Sequence, residues 1–248
     1  MIMGQGIDDA TGVLGSAGGS SPATVDLRAL LPPIRDQGQR GTCIAFAVTA
    51  AHETARIGLS GGIEDLAEEI LYWGCKQLDR NQSSGTVFTS AAGALQRWGQ
   101  PLEELWPYDG YRDDSVPYYR PPAGALDLSN CRRASLRRVK NGAHEIKRFL
   151  TANQVVVLGI MISHGFLQPV KGRIPMPAPQ AGFLGGHAVV AVGYQDATVP
   201  NKGSLIIRNS WGNDWGDNGY GYLPYAYIQD VRSEAWVVDS LRPDTSVC

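Results

Sequence analysis

Cys43 is a candidate nucleophile, because it stands where a glycine-rich turn enters a helical pattern. The turn is IRDQGQRGT, residues 34–42, and the run CIAFAVTAAHETARI follows it, with Thr42 as a candidate capping residue. A thiol in the first turn of a helix meets unpaired backbone N–H groups and the positive end of the helix dipole, and both favour the reactive thiolate. The alternative is a small buried core cysteine, and this segment alone fits both interpretations.

A cysteine nucleophile needs a base within hydrogen-bond distance, and His187 is the best candidate among the four histidines. It follows two glycines and precedes the apolar run AVVAV, which predicts a place at the mouth of a buried strand. His52 lies nine residues after Cys43 on the same predicted helix and therefore faces away from it. His144 fits the solvent face of an amphipathic helix, and His164 follows a strand without a recognisable site around it.

Asn209 is the candidate for orienting that histidine, because it stands at the end of the predicted strand SLIIR. Its amide oxygen can accept a hydrogen bond from one imidazole nitrogen, which fixes the tautomer and leaves the other nitrogen for the thiol. Trp211 can cover this hydrogen bond and exclude water. Taken alone, Asn209 reads as a turn residue and Trp211 as a core aromatic. Only their combination with Cys43 and His187 favours a catalytic site.

The elements around these residues form a helical half followed by a strand-rich half. Apolar periodicity predicts helices at about 43–57, 65–80 and 88–98, and the segment 101–128, rich in Tyr, Pro and Asp, predicts loops. The predicted strands are VVVLGIMIS, GHAVVAVGYQ, GSLIIRNSW, GYGYLPY and AWVVDS. Helices first and strands second predict an α+β chain with two lobes and a cleft between them.

The expected domain division follows composition. Residues 1–21 are rich in Gly, Ser and Ala, which predicts a flexible tail. The remainder, 22–248, is expected to form one domain with a helical lobe at about 36–128. A strand-rich lobe takes about 129–248 together with 22–35, where a Pro-Pro pair predicts extended chain. The candidate site residues come from both lobes, so we expect the site in the cleft.

Composition and charge argue against several classes of partner. The 248 residues are 43% hydrophobic and 19% charged, with a formal net charge of −2, as in a globular protein. The basic cluster CRRASLRRVK, residues 131–140, fits a solvated strand or helix face, because acidic residues balance it elsewhere. The N-terminus has no signal-peptide pattern, and no apolar run approaches the length of a membrane span. We therefore expect no nucleic-acid partner and no membrane partner.

The four cysteines are Cys43, Cys75, Cys131 and Cys248. They form no C-x-x-C pair, so zinc binding is not expected, and they are too few for a disulfide framework in a chain of this length. Such usage is typical of a reducing compartment. We expect a cytoplasmic protein, or one exported without a cleaved Sec signal.

Three motifs in this order resemble the papain-like cysteine peptidases. DQGQRGTCIAFA resembles the family's nucleophile segment, GGHAVVAVGY its histidine segment and LIIRNSWGNDWGDNGYGYL its asparagine segment, while VDLR resembles the start of its mature chain. The resemblance runs from about Thr24 to the last strand, and His187 and Asn209 follow Cys43 by 144 and 166 residues, near the family's distances. It implies the papain-like fold, with a helical N-terminal lobe, a β-barrel-like C-terminal lobe and the active-site cleft between them.

The resemblance also implies a cysteine endopeptidase that works through a thioacyl-enzyme on Cys43. His187 would act as base and then acid, Asn209 would orient it, and Gln37 would complete the oxyanion hole with the backbone N–H of Cys43. The expected partner is a protein or peptide substrate, with no cofactor, no metal and a monomeric state. A deamidase, transglutaminase or ligase would share this acyl-enzyme chemistry. An inactive binding protein would be expected to lack one of the four residues, and all four are present.

The sequence departs from the family pattern near the nucleophile. Arg40 and Ser83 stand at the two ends of what is usually one disulfide, and the 25 residues before Asp26 are too few and too polar for the family's inhibitory propeptide. In both respects the chain resembles bacterial or archaeal members. Gly85 and Thr86 match the turn that binds the substrate backbone, although Thr86 replaces a glycine and narrows the approach.

Gly159, Gly186 and Trp211 are the remaining candidate substrate contacts. By the resemblance, Gly159 and Gly186 line the main specificity pocket together with Gly185, and such small residues imply a roomy pocket for a bulky apolar side chain. Exopeptidase relatives close one end of the cleft with an added loop that carries a histidine. This loop would fall near 100–128, which contains no histidine. The resemblance therefore favours an endopeptidase.

Overall fold

The computed structural model describes most of the chain. It covers residues 22–79, 83–115, 118–127, 129–178, 180, 182–198, 202–229 and 233–241. The predicted tail at 1–21 and the last cysteine, Cys248, lie outside the described residues. The three described cysteines, Cys43, Cys75 and Cys131, are free thiols.

Three helices follow one another in the first half of the chain. They are α1 (Cys43–Ser60), α2 (Glu68–Leu78) and α3 (Phe88–Arg97). α1 begins at Cys43 itself and ends where Gly61 takes a left-handed conformation with a φ of 73°. Its many alanines allow close packing, and it contacts α2, α3 and the strands of the second half. The three helices predicted from the sequence are confirmed, with ends that differ by a few residues.

The second half forms an antiparallel sheet, which the first strand of the chain joins. Its strands are β1 (Thr24–Asp26), β2 (Ala134–Val139), β3 (Val156–Ile162), β4 (Gly185–Asp196), β5 (Gly203–Arg208), β6 (Tyr220–Pro224) and β7 (Glu234–Leu241). Their order is β2-β7-β3-β4-β5-β6, and β1 pairs with β4. Two helices, α4 (Ala143–Thr151) and α5 (His164–Leu167), flank β3 in the sequence. The predicted α+β class and two-lobed fold are confirmed.

The basic cluster at 131–140 contains the strand β2, where the sequence pattern fits either a strand or a helix. Three of its four arginines pair with acidic side chains: Arg132 with Glu64 at 2.9 Å, Arg137 with Asp239 at 2.6 Å and Arg138 with Glu234 at 3.6 Å. The cluster is therefore balanced locally by carboxylates. Within the described ranges, no helix is long and apolar enough to cross a membrane.

The long strand β4 positions the reactive residues. It pairs with β3, β5 and β1, and its segment 189–192 is fully buried. His187 lies near its start, opposite Ile160 of β3, and Asn209 directly follows the neighbouring β5. Because α1 packs against β4, its first residue, Cys43, is brought to the end of the strand that carries His187.

Candidate active site

A cleft of about 720 Å³ between the two halves is lined by both Cys43 and His187. The first turn of α1, the loop before α3 and the strands β3, β4 and β7 contribute to its walls. Four of the predicted substrate contacts line it: Gly85, Thr86, Gly159 and Gly186. The fifth, Trp211, lies outside the described lining, and its contact with substrate stays a prediction.

His187 and Asn209 are joined by a hydrogen bond of 2.7 Å between Nε2 and Oδ1. The same Oδ1 accepts the backbone N–H of Ser210 at 2.9 Å, which identifies this atom as the amide oxygen. Nε2 of His187 must therefore donate, and Nδ1 is the ring nitrogen with a free lone pair. This is the tautomer that a base facing the Cys43 thiol requires.

Aromatic rings shield this hydrogen bond from water. The Trp211 ring lies 4.5 Å from the His187 ring between centroids, and the Phe166 ring lies 5.7 Å away on an edge-to-face approach. His187 is 7% exposed and Asn209 3%. The proposed covering role of Trp211 thus has a direct geometric basis, and a hydrogen bond in such a dry setting is stronger than one in water.

Burial governs the titration of both reactive groups. It raises the pKa of the Cys43 thiol, against backbone hydrogen bonds from Ala188 and Ile44 that lower it. It also lowers the pKa of the His187 imidazole to about 4. Burial therefore outweighs the helix N-terminus, which was expected to favour the thiolate. Because both groups line one cleft, a thiolate on Cys43 would be stabilised by the positive charge of a protonated His187.

Gln37 is fixed from the strand-rich half by Ser210. The backbone N–H of Gln37 donates to the Ser210 carbonyl at 2.9 Å, and the Ser210 hydroxyl donates to Gln37 Oε1 at 2.7 Å. One hydrogen of the Gln37 amide is used by the carbonyl of Arg40, with an Nε2–O distance of 2.8 Å. Two contacts therefore orient the side-chain amide of Gln37, and a third holds its backbone.

Thr42 does not cap α1, so the predicted capping role is wrong. Its hydroxyl lies 2.7 Å from the hydroxyl of Tyr108, a residue of the loop-rich segment 101–128. The backbone of Thr42 has a φ of −101° and a ψ of 10°, which differs from the extended conformation of a typical N-cap residue. A partner 66 residues away has taken the hydroxyl that the local pattern assigned to the helix.

Arg40 anchors the nucleophile turn by charge. Its Nη1 and Nη2 atoms each lie 2.8 Å from an oxygen of Glu69 in α2, and its guanidinium packs on the rings of Tyr72, Tyr108 and Tyr119. The Arg40 side chain is 7% exposed and that of Glu69 is 0% exposed. A bidentate pair in such surroundings holds its geometry well. Arg40 itself stands at one end of the disulfide that the resemblance implies for other family members, and Ser83 stands at the other end.

Lys76 holds the second turn in this region, which contains Ser83 and Gly85. Its Nζ lies 3.0 Å from Asp79 Oδ2, 2.9 Å from the Ser83 carbonyl and 3.1 Å from the Gly85 carbonyl. This turn touches the nucleophile turn at Gly41, where an added Cβ would come within 2.6 Å of the Gly85 nitrogen. Only glycine at position 41 permits this close approach.

The predicted specificity pocket is partly filled. A Cβ added to Gly159 would meet the Phe88 ring at 2.7 Å, so Phe88 occupies the space that was expected to be open there. A Cβ on Gly186 would meet no atom within 4 Å, so this side of the pocket is open. Thr86 lines the cleft as expected, and its hydroxyl donates to Asp79 Oδ1 at 3.0 Å.

Two carboxylates in the cleft were missed by the sequence analysis, namely Asp79 and Glu234. Asp79 pairs with Lys76, and Glu234 accepts the Trp236 indole N–H at 3.2 Å and lies 3.6 Å from Arg138. Glu234 reaches the cleft because it starts β7 opposite Gly159 of β3. A strand register of this kind joins residues far apart in sequence, and nothing in the local pattern around position 234 indicates it.

The other histidines lie away from the cleft. His52 is fully buried in α1 with Nδ1 3.0 Å from Gln100 Oε1, which is a packing role. His144 and His164 are exposed. No group of three or more His, Cys, Asp or Glu side chains in the described ranges could hold a metal ion.

The fold and the cleft together define a class, the papain-like cysteine peptidases. The family profile of papain family cysteine proteases matches residues 21–235. The chain belongs to this family.

Comparison with known proteins agrees with this assignment. The chain is 27% identical to a peptidase C1-like protein of Acanthamoeba polyphaga mimivirus over 83% of its own length and 69% of that protein, and 33% identical to Peptidase 1 of Euroglyphus maynei over 82% and 61%. Among solved structures, xylellain, a cysteine protease from Xylella fastidiosa, superposes with a TM-score of 0.77 at 28% identity, covering 90% of this chain and 88% of xylellain. A digestive procathepsin L 3 of Tenebrio molitor shares the fold at 20% identity with a TM-score of 0.70, over 91% of this chain and 72% of that protein.

Proposed function

We propose that this chain is an endopeptidase that cleaves protein or peptide substrates through a thioester on Cys43. The observation that carries the proposal is the hydrogen bond from His187 Nε2 to Asn209 Oδ1, 2.7 Å long, which leaves Nδ1 of a cleft-lining imidazole ready to take a proton. Cys43 lines the same cleft at the first turn of α1. The absence of a histidine from the described part of segment 101–128 supports cleavage within chains rather than at their ends.

In the first half of the reaction the Cys43 thiol gives its proton to His187 Nδ1 and the sulfur attacks the carbonyl carbon of the scissile bond. The oxyanion receives hydrogen bonds from the backbone N–H of Cys43 and from the second amide hydrogen of Gln37. The C–N bond then breaks, and His187 returns its proton to the departing amine. This leaves a thioester between substrate and Cys43.

In the second half a water molecule replaces the amine. The oxygen of this water attacks the thioester carbonyl carbon while His187 takes one of its protons. The Cys43 N–H and the Gln37 amide stabilise the new oxyanion. The C–S bond breaks, the carboxylic acid leaves and the proton returns to sulfur. Throughout, Asn209 keeps the imidazole plane in place, since its oxygen is held by the Ser210 N–H.

The test combines thiol labelling with product analysis. Iodoacetamide at pH 6, followed by peptide mapping, should label Cys43 well ahead of the buried Cys75 and Cys131, and His187→Ala should remove this preference. Peptides blocked at both ends should give two fragments by mass spectrometry, and Cys43→Ala should give none. His164→Ala, an exposed histidine outside the cleft, serves as the matched control and should retain full activity.

The product masses decide between this reaction and the related ones. A mass increase of about one dalton without fragmentation would establish a deamidase, and an adduct with an added amine would establish a transferase. Release of only terminal residues would contradict the endopeptidase assignment. Equal labelling of all cysteines would contradict the catalytic pair itself.

A further inference from the structure

Tyr108 joins the two chain segments that flank the oxyanion site. Its hydroxyl lies 2.7 Å from the backbone carbonyl of Gln37 and 2.7 Å from the hydroxyl of Thr42. A carbonyl can only accept, so the Tyr108 hydroxyl donates its single hydrogen to Gln37. The Thr42 hydroxyl must then donate to the Tyr108 oxygen. Both hydroxyl hydrogens are thereby assigned: Thr42 donates to Tyr108, and Tyr108 donates to Gln37.

Under the proposed function, the two bridged residues, Gln37 and Thr42, carry or adjoin the two donors of the oxyanion hole. Gln37 would supply the side-chain donor of the oxyanion hole, and Thr42 forms the peptide bond whose N–H belongs to Cys43, the other donor. The relative position of the two donors depends on the distance between these segments. Oxyanion donors act well only when they are held in place before charge develops, and a small displacement is costly.

The Tyr108 ring is itself firmly held. It meets the Phe46 ring edge-to-face, with 4.7 Å between centroids, and the Arg40 guanidinium lies 5.1 Å from its centroid. Its backbone N–H donates to Glu103 Oε1 at 2.6 Å. Burial raises the pKa of the Tyr108 hydroxyl to about 12, so the group stays protonated and keeps its donor at neutral pH. The ring and the backbone of Tyr108 are thus held by residues that do not belong to the described cleft lining.

We propose that Tyr108 is a positioning residue for the oxyanion hole, whose hydroxyl sets the spacing between the Gln37 and Cys43 donors. The proposal rests on the proposed function for the identity of those donors. Tyr108 does not touch the reacting atoms in this scheme, because it acts on the backbone of Gln37 and the side chain of Thr42. Its effect is therefore confined to steps in which an oxyanion forms.

Two reactions of the same thiol separate this role from a merely structural one. Acylation of Cys43 by p-nitrophenyl acetate passes through an oxyanion, whereas alkylation by iodoacetamide does not. Tyr108→Phe removes only the hydroxyl, and we expect it to slow acylation about tenfold, which is less than the ~10²–10³ for loss of a whole donor. Alkylation should stay within about twofold of the wild-type rate, because the thiol and His187 are untouched.

Tyr119→Phe is the matched control. It removes a half-buried hydroxyl from the same loop-rich segment. This hydroxyl donates to Glu69 at 2.6 Å and accepts from Arg40 Nη2 at 3.3 Å, and among the described residues it makes no hydrogen bond with Gln37 or Thr42. The ratio of acylation to alkylation rates in Tyr119→Phe should equal that of the wild type, even where the stability of the variant falls. In a Gln37→Ala background, Tyr108→Phe should add little, because the donor that it positions is already gone.

The outcomes separate this proposal from the proposed function. Equal acylation rates in Tyr108→Phe and the wild type would overturn the positioning role, as would an equal loss of acylation and alkylation. A tenfold loss confined to acylation supports it, whatever the fate of peptide substrates. A wild-type protein that acylates on Cys43 but leaves blocked peptides intact would overturn the endopeptidase assignment alone.

Discussion

On the side of the cleft that carries Cys43, charged and polar side chains hold the chain, whereas on the side of His187 the strand ladder and apolar side chains do so. Arg40 pairs with Glu69, and Arg35 pairs with Glu53 at 2.8 Å and with Glu68. In β4, by contrast, positions 189–192 are apolar and almost fully buried between paired strands. A buried charge is sensitive to the loss of its partner and to pH, and an apolar strand is sensitive to neither.

Removal of one buried charge should have the largest effect. Arg40→Met takes the bidentate partner from the buried Glu69, which keeps only the Tyr119 hydroxyl at 2.6 Å and Arg112 at 3.5 Å among the described residues. We expect the free energy of unfolding to fall by about 3 kcal/mol, at the low end for a broken buried pair. Urea denaturation at pH 7 measures it. Arg28→Met is the matched control, since the Arg28–Asp26 pair is 33% and 36% exposed and should contribute under about 1 kcal/mol.

The double variant Arg40→Met/Glu69→Leu sharpens this result. It replaces the pair with apolar side chains of similar volume, and we expect it to recover much of the lost stability. A double variant no more stable than Arg40→Met would mean that the rings around Arg40, rather than the charge pair, hold the turn.

Removal of an apolar side chain from the sheet should cost about as much. Leu205 of β5 is fully buried, and Leu205→Ala should lower the free energy of unfolding by about 2–5 kcal/mol. The loss should be the same at pH 5 and pH 9, because no titrating group is involved. A loss that changes strongly with pH would break the contrast between the two sides.

Truncation of the orienting amide should affect catalysis more than folding. Asn209→Ala removes the acceptor of His187 Nε2, and we expect kcat to fall by roughly 10- to 100-fold, less than the ~10²–10⁴ attributed to a general base itself. KM should change little, since Asn209 lies behind the histidine and outside the described cleft lining. A variant with unchanged kcat would show that Trp211 and Phe166 suffice to orient the ring.

The smallest effect is a pH dependence on the helical side. Burial raises the pKa of Glu103 to about 8, so between pH 4.5 and 8 the folded protein binds a proton that the unfolded chain has lost. The stabilisation that Glu103 contributes is fully present below pH 4.5, and it is lost as the pH rises through about 8. Glu103→Gln should therefore be more stable than wild type at pH 9, by roughly 1 kcal/mol after allowance for solvent screening.

Thermal unfolding at pH 6 and pH 9 measures this difference. The exposed neighbour Glu104 provides the control, and Glu104→Gln should follow the wild type at both values. Some pH dependence should persist in Glu103→Gln, because burial also raises the pKa of Glu53 to about 7. Equal slopes for wild type and Glu103→Gln would assign the effect to other buried carboxyl groups, such as Glu53 and Glu68, whose pKa values burial also raises.

The same contrast explains what the sequence could predict. The three helices and the strands β3 to β7 follow from local periodicity. Motifs whose members end strands or begin a helix predict that Cys43 and His187 share a cleft and that Asn209 bonds to His187. Contacts on the charged side join residues such as Thr42 and Tyr108, 66 positions apart, or Arg40 and Glu69, 29 apart. No local pattern carries these pairings, so the capping role given to Thr42 was wrong.

The predicted specificity pocket at Gly159 and Gly186 shows the same limit of prediction from local sequence. Gly159 and Gly186 were both expected to open the pocket, and both line the cleft. Phe88, at the start of α3, fills the space beside Gly159, because helix and sheet pack together there. Side-chain filling across two elements depends on their packing, which a strand pattern alone does not contain.

The anchors around the nucleophile turn have a practical consequence for handling the protein. A thiol catalyst must be kept from oxidation, and strong reducing agents used for that purpose break disulfides that support a fold. Arg40 and Lys76 hold their turns through ion pairs and hydrogen bonds, on which such reagents do not act. The reagent that keeps Cys43 chemically competent should therefore leave these anchors unchanged, so purification and assay can share one buffer.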